Sequence, residues 1–125
     1  MTVKGVGVDL VSVDRITRVY KKFPERFINR IFTENEKKQF EARGSSMQSL
    51  AARFAAKEAV LKAIGCGIGP ATMKDVEIIS LPGKQPATRL HGAALFFASE
   101  NNINIIALSF SHEQNTACAF VTATS

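Results

Sequence analysis

Asp9 stands in the middle of a valine-rich run, Val6-Gly7-Val8-Asp9-Leu10-Val11, where a carboxylate costs stability unless it is paired, hydrogen-bonded or bound to a metal. Glu58 and Lys62 are spaced one helical turn apart, with Arg53 and Lys57 a turn apart just before them. If Asp9 and Glu58 converge, they supply two hard oxygen ligands and leave positions for waters and a phosphate, the way Mg²⁺ is held where phosphoryl groups move. Lys62 would then face the same phosphates. The plainer account of Glu58 and Lys62 is a solvated ion pair worth a few tenths of a kcal/mol. Against it stands the string Phe54-Ala55-Ala56-Lys57-Glu58-Ala59, whose alanines leave the charged groups unshielded and open to a ligand.

These residues need elements to position them. Residues 3–13, dense in valine, read as a strand in which Gly5, Gly7, Asp9, Val11 and Val13 share one face and Val6, Val8 and Leu10 the other. The two glycines are expected to leave open space beside the carboxylate. Asp14 is expected to cap a short basic helix that Pro24 interrupts before a second basic turn. Thr33-Glu34-Asn35-Glu36 has the pattern of a capping box and predicts a helix over 33–43, ended by Gly44-Ser45-Ser46.

Residues 47–64 hold no Gly or Pro and predict the longest helix, stopped by the glycine-rich loop 65–70. On its wheel Leu50, Phe54, Leu61 and Ile64 form the core stripe, and Lys57 falls inside that stripe. A lysine there must snorkel to water or meet an anion. The loop follows the helix, where carbonyls and the negative end of the dipole point outward, so its glycines read as a helix stop and not as a phosphate cradle. Short strands are expected over 74–81 and 87–90, a helix over 92–101, and a strand pair over 103–110 and 116–122 around the turn Ser111-His112-Glu113-Gln114-Asn115. His112 is thus expected in a turn, where it is either solvated or bound to phosphate, and His91 has no assigned role. One α+β domain over residues 1–125, a small antiparallel sheet with a long central helix, is the expected fold.

Sixteen Lys and Arg against eleven Asp and Glu give a formal charge of +5, which suits an anionic partner. No apolar run is long enough to cross a bilayer, and the amino terminus has no charged-then-apolar leader, so the expected compartment is the cytoplasm. Cys66 and Cys118 lack metal-site or redox spacing and read as reduced thiols. A basic nucleic-acid module would explain the charge, yet it leaves Asp9 and Glu58 without a purpose and lacks a base-stacking platform. A Mg²⁺-dependent diphosphate hydrolase shares the metal argument and would release its product to water.

The run Gly5-Val6-Gly7-Val8-Asp9-Leu10-Val11, the helix Arg53 through Gly65, and Leu108-Ser109-Phe110-Ser111-His112 occur together in the order and spacing of holo-acyl-carrier-protein synthases, and the resemblance covers almost the whole chain. It is a resemblance to the small bacterial 4′-phosphopantetheinyl transferases. That resemblance implies transfer of 4′-phosphopantetheine from coenzyme A to a serine of an apo-acyl carrier protein, with adenosine 3′,5′-bisphosphate released. It implies Asp9 and Glu58 as Mg²⁺ ligands, and Glu58 and Lys62 as catalytic groups: Lys62 for charge on the departing bisphosphate, Glu58 as base directly or through a water. It places Arg53, Lys62, Lys84, Pro86, Ser111 and His112 around coenzyme A, and Arg15, Arg18, Lys22 and Arg26 against the carrier protein. It also implies a homotrimer with sites at subunit boundaries, no nucleic acid and no membrane. Cys66, where threonine is expected, and Gln85, which separates Lys84 from Pro86, depart from the family pattern.

Overall fold

The computed structural model describes residues 1–67, 69 and 71–125. Strand β1 (Val3–Ser12) runs directly into helix α1 (Val13–Lys22), followed by α2 (Pro24–Ile31), α3 (Glu34–Ala42) and the long α4 (Met47–Ile64). A 3-10 turn, Met73–Asp75, leads into β2 (Val76–Ile79), and then come β3 (Ala87–Leu90), α5 (Gly92–Glu100), β4 (Ile105–Glu113) and β5 (Thr116–Thr124). Two antiparallel sheets result: one of three strands in the order β1-β5-β4, and a hairpin of β2 with β3. The architecture is α+β, with α4 laid across the inner face of the larger sheet.

Local chemistry explains most boundaries. The Ser12 hydroxyl accepts from the Arg15 amide and caps α1, so Asp14 sits in the first turn and is not the cap expected of it. Pro24 opens α2, where its missing N–H has no helical partner to lose. The capping box forms as expected, with Thr33 accepting from the Glu36 amide and Glu36 Oε1 accepting from the Thr33 amide at 2.9 Å. Gly65 ends α4 in the left-handed region at φ 80°, which glycine adopts without a Cβ penalty. Of the loop that follows, Ile68 and Pro70 lie outside the described residues.

Three expectations need correction. The strand over 74–81 shortens to Val76–Ile79, because Met73–Asp75 closes as a 3-10 turn with Thr72 and Asp75 bonded to each other's ends. Ser111 and His112 do not lie in a turn: β4 continues through Glu113, pairing Ser111 with Cys118 and His112 with Ala117, and the connection narrows to Gln114-Asn115. Gln114 takes φ 51° there, and Asn115 ties the turn to α1 through its carbonyl to Val13 N–H and its side chain to Asp14 N–H.

The third correction concerns Gly5 and Gly7. They leave no open space, because α4 fills it: a Cβ on Gly5 would stand 2.0 Å from the Ala63 carbonyl oxygen, and one on Gly7 1.9 Å from that of Ala59. Glycine on the strand and alanine on the helix let the two backbones touch. Ala117, Ala119, Val121 and Ala123 of β5 complete the floor under α4, all buried. The opposite face of the sheet is uncovered, with Val6, Val8, Leu10 and Phe120 between 52% and 69% exposed.

Candidate active site

The contact of β1 with α4 places Asp9 beside Glu58 and Lys62. Lys62 Nζ donates to Asp9 Oδ1 at 3.1 Å and to the Val8 carbonyl at 3.1 Å. The other carboxylate oxygen, Asp9 Oδ2, is buried with no hydrogen-bond partner among the described residues. Glu58 feels the Asp9 charge: its pKa is raised above 4.5 by burial first and by the Asp9 carboxylate second, against the pull of Lys62 and Arg15. Two close carboxylates, one with an orphaned oxygen, form a site short of positive charge.

That deficit decides whether a divalent cation fits. Asp9 and Glu58 offer hard oxygens on one side of the cleft, and no group of three His, Cys, Asp or Glu side chains converges among the described residues. A cation held here would keep most of its shell for phosphate oxygens and water, a donor set suited to Mg²⁺ and unlike the closed shell of a structural zinc. A small cavity of about 210 Å³ opens beside this pair, lined by Glu58, Leu61, Lys62 and Gly67.

A second cluster forms one face further along α4. Arg53 is buried, with its Nη1 donating to Ser49 Oγ at 2.6 Å and to the Ser49 carbonyl, and its Nη2 to Ser80 Oγ at 3.1 Å. Its guanidinium lies 5.2 Å from the centre of the Phe110 ring. Burial, with Arg43 nearby, pulls the Arg53 pKa down to about 10, so it stays cationic at neutral pH. Arg43, Ser49, Arg53, Phe110, Ser111 and His112 line a cavity of about 420 Å³, and Ser111 and His112 also border a neighbouring one of about 430 Å³ with Leu10 and Cys118. Cationic and hydroxyl groups converging on an open cavity suit a phosphate monoester. Arg43 has no sequence signal, since it ends α3 and reaches Arg53 only through the fold.

Lys84 and Pro86 are not brought to either cluster. They lie in the turn between β2 and β3, with Lys84 exposed and Gln85 between them. Arg15, Arg18, Lys22 and Arg26 are exposed along α1 and α2, and Arg15 is the member whose charge is felt at Glu58. Cys66 and Cys118 are free thiols, and Cys118 Sγ is 3.8 Å from Ser111 Oγ.

Lys57 separates from the other charged groups of α4. It is fully buried and meets an anion, donating to Glu36 Oε1 at 2.7 Å and to the carbonyls of Val76 at 2.6 Å and Met73 at 3.1 Å. Glu36 Oε2 accepts from Ile78 N–H at 2.9 Å. Of the two outcomes expected for it, Lys57 thus meets an anion, and it is a fastening between α3, α4 and β2. Burial lowers its pKa and Glu36 opposes that shift. Beside it, buried Glu77 accepts from Thr33 Oγ1 at 2.8 Å and Asn35 Nδ2 at 3.2 Å and pairs with His91 Nε2 at 3.1 Å, which gives His91 a structural place. Burial drives the Glu77 pKa up, but the bonds from Thr33, His91 and Asn35 outweigh it and hold the carboxyl below 4.5.

Known proteins resemble this chain in sequence and in fold. A profile of the 4′-phosphopantetheinyl transferase superfamily matches residues 5–121. The holo-acyl-carrier-protein synthase of Natranaerobius thermophilus is 42% identical over 115 residues, 92% of this chain and 92% of that protein. The crystal structure of holo-acyl-carrier-protein synthase from Neisseria meningitidis superposes with a TM-score of 0.89 at 38% identity, covering 98% of this chain and 99% of the other. That of the Helicobacter pylori enzyme, in complex with coenzyme A, gives 0.84 at 30% identity, covering 95% and 99%. Sequence and fold thus converge, and the chain belongs to the 4′-phosphopantetheinyl transferase superfamily, as an enzyme related to the holo-acyl-carrier-protein synthases.

Proposed function

We propose that this chain transfers 4′-phosphopantetheine from coenzyme A to a serine of an apo-acyl carrier protein, with Mg²⁺ bound by Asp9 and Glu58, and releases adenosine 3′,5′-bisphosphate. The observation that carries the reading is the orphaned Asp9 Oδ2 beside the raised Glu58 carboxyl, in a chain whose relatives are named for this reaction. Mg²⁺, once bound, supplies positive charge to the diphosphate of coenzyme A and orients it. The residues of the chain do the rest.

The serine oxygen attacks the phosphorus that bears the pantetheine, a new P–O bond forms, and the bond to the bridging oxygen of the diphosphate breaks. Glu58 takes the serine proton, itself or through a water; burial and the neighbouring Asp9 raise its pKa, which suits a base. Lys62, anchored to Asp9 and Val8 yet half exposed, turns its remaining proton toward the departing bisphosphate and offsets its charge. Arg53, with Arg43, Ser111 and His112, receives the 3′-phosphate in the cavity that these residues line. Lys84 and Pro86, remote from that cavity in one chain, reach coenzyme A from a neighbouring subunit of a homotrimer. The exposed Val6, Val8, Leu10 and Phe120 supply the apolar face that such an assembly buries.

Arg15, Arg18, Lys22 and Arg26 receive the carrier protein and chiefly raise the rate of encounter. The free Cys66 and Cys118 suit a reducing, cytoplasmic setting, and the holo-carrier serves fatty acid biosynthesis. Among the described residues, no helix is long and apolar enough to cross a membrane.

The test is intact-mass analysis of an apo-acyl carrier protein incubated with this protein, coenzyme A and Mg²⁺. Gain of one phosphopantetheine, blocked by EDTA, is expected. Asp9→Ala and Glu58→Ala should each lower transfer by at least a hundredfold with unchanged thermal unfolding and weakened Mg²⁺ binding. Undiminished turnover in either variant would remove the metal assignment. Release of phosphopantetheine into solution, with the carrier unmodified, would show the hydrolase instead.

A further inference from the structure

Phe23 stands at the junction of α1 and α2, where it ends one helix and begins the other. Two local rules are broken there. The first turn of α2 has no side-chain cap, although Ser, Thr, Asp or Asn at this position would satisfy its free amides. A large aromatic ring is left 46% exposed, although aromatic residues on either side of it in the sequence join a cluster: Tyr20 packs edge-on against Phe27 and Phe40, and Phe27 stacks on Phe54. The fold draws in Tyr20 and Phe27 and leaves Phe23 outside. A residue that serves neither the cap nor the core is a candidate for a surface role.

Its surroundings define the partner. Lys22 Nζ is 5.7 Å and Arg26 Cζ 5.1 Å from the ring centre, so two cations flank the aromatic face. Arg15, Arg18, Val19 and Lys22 follow i, i+3, i+4, i+7 spacing and share one arc of α1. Val19, 43% exposed, precedes Phe23 by one turn, and its carbonyl accepts from Phe23 N–H. The result is a short apolar strip, Val19 then Phe23, edged by Arg15, Arg18, Lys22 and Arg26. It begins at the Arg15 whose charge reaches Glu58. Lys21 and Arg30 add to the positive field, and Asp14 and Glu25 are the acidic residues along this stretch.

Cations alone would serve any anion, but an apolar strip between them fits a protein surface that presents an aliphatic side chain among carboxylates. A phosphate backbone offers no such side chain, and the single exposed ring of Phe23 with Val19 beside it is not the series of rings on which successive bases stack. We infer that Phe23 is the apolar anchor of the carrier-protein docking surface, seating an aliphatic side chain of the carrier that stands between carboxylates paired with Lys22 and Arg26. The inference rests on the transfer reaction proposed above. Desolvated aromatic contacts inside a ring of polar pairs hold a complex together, whereas the charges around them mainly guide the approach.

The test compares wild type, Phe23→Ser and Phe23→Leu in steady-state transfer, varying the apo-carrier at saturating coenzyme A and then the reverse. Phe23→Ser should raise the carrier KM roughly tenfold. The coenzyme A KM and kcat should hold, and Phe23→Leu should recover most of the loss. Thermal unfolding of Phe23→Ser should not fall, because serine supplies the missing cap. The dependence of kcat/KM on salt should keep the wild-type slope, since every charge remains. An unchanged carrier KM in Phe23→Ser, or an equal rise in the coenzyme A KM, overturns the anchor while leaving the transfer reaction standing. Inhibition of wild type by an oligonucleotide that Phe23→Ser escapes also overturns it, in favour of a nucleic acid. A wild-type protein that binds coenzyme A and modifies no carrier removes the transfer reaction and the anchor together.

Discussion

Lys57 and Glu58 are adjacent in the chain, yet a rotation of about 100° per residue sends one into the interior and the other to the cleft. Lys57 meets Glu36 at 2.7 Å with neither side chain more than 1% exposed, and all three ammonium protons have acceptors. Removing one partner of such a pair leaves a buried charge uncompensated, at a cost of about 3–5 kcal/mol. Lys57→Met should therefore unfold at markedly lower urea. The double variant Lys57→Met with Glu36→Gln should recover part of the loss, because it removes both charges. A double variant that loses the sum of the two single losses would show that the pair is not coupled. The buried anion partner was foreseeable from the helical wheel, which set Lys57 among Leu50, Leu61 and Ile64, but its identity was not. Glu36 looked like a capping residue and is one; its Oε1 accepts both the Thr33 amide and the Lys57 ammonium.

At the scale of elements, the pairing of β1 with α4 decides where the chemistry sits. Gly7 does not need unusual backbone angles; it needs to have no side chain, because a Cβ would fall 1.9 Å from the Ala59 carbonyl oxygen. Gly7→Ala must push α4 off the strand. The expected cost is at least the 1–3 kcal/mol of an overpacked core. Transfer activity should fall more steeply than stability, since Glu58 and Lys62 move with the helix away from Asp9. Urea unfolding and turnover measured on the same preparation check this, and a variant of normal activity would show that the contact does not set the site. The helices with strong local signals, the Thr33 capping box and the run 47–64, were legible in the sequence. The reach of β4 through Glu113 was not, because residues of turn-forming type such as Ser111 were drawn into the ladder by pairing with β5. The same blind spot hid the purpose of Gly5 and Gly7, since alternation along a strand reveals a face but not what lies against it.

For the whole molecule, the uncovered side of the three-stranded sheet is the dominant fact. Val8 pairs with Phe120 across β1 and β5, both more than half exposed, with Val6 and Leu10 on either side. A continuous apolar sheet face of this kind marks an interface. The proposed homotrimer should sediment as one species, and Val8→Glu combined with Phe120→Glu should dissociate it and abolish transfer. A wild-type monomer with full activity would refute the assembly. Asp9, Glu58 and Lys62 were legible as a group because their types and spacing demanded an explanation in common, and the fold brings them together. Arg53, Ser111 and His112 also converge, whereas Lys84 and Pro86 do not within one chain. Arg43 escaped notice because its meeting with Arg53 depends on how α3 turns into α4, a tertiary accident that no periodicity records.

The touching backbones of β1 and α4 also bear on how freely this sequence can vary. Gly5, Gly7, Ala59 and Ala63 act as one unit: the strand positions admit no side chain, and the helix positions face them with buried alanines. Enlarging any of the four would move Asp9, Glu58 and Lys62, which belong to none of them. Mutational tolerance near the cleft is therefore inverted from the usual order. The exposed groups around the cavities can be exchanged to retune what is bound, while the smallest and chemically most silent residues must change together or stay as they are, and a library built to alter substrate range should leave those four positions untouched.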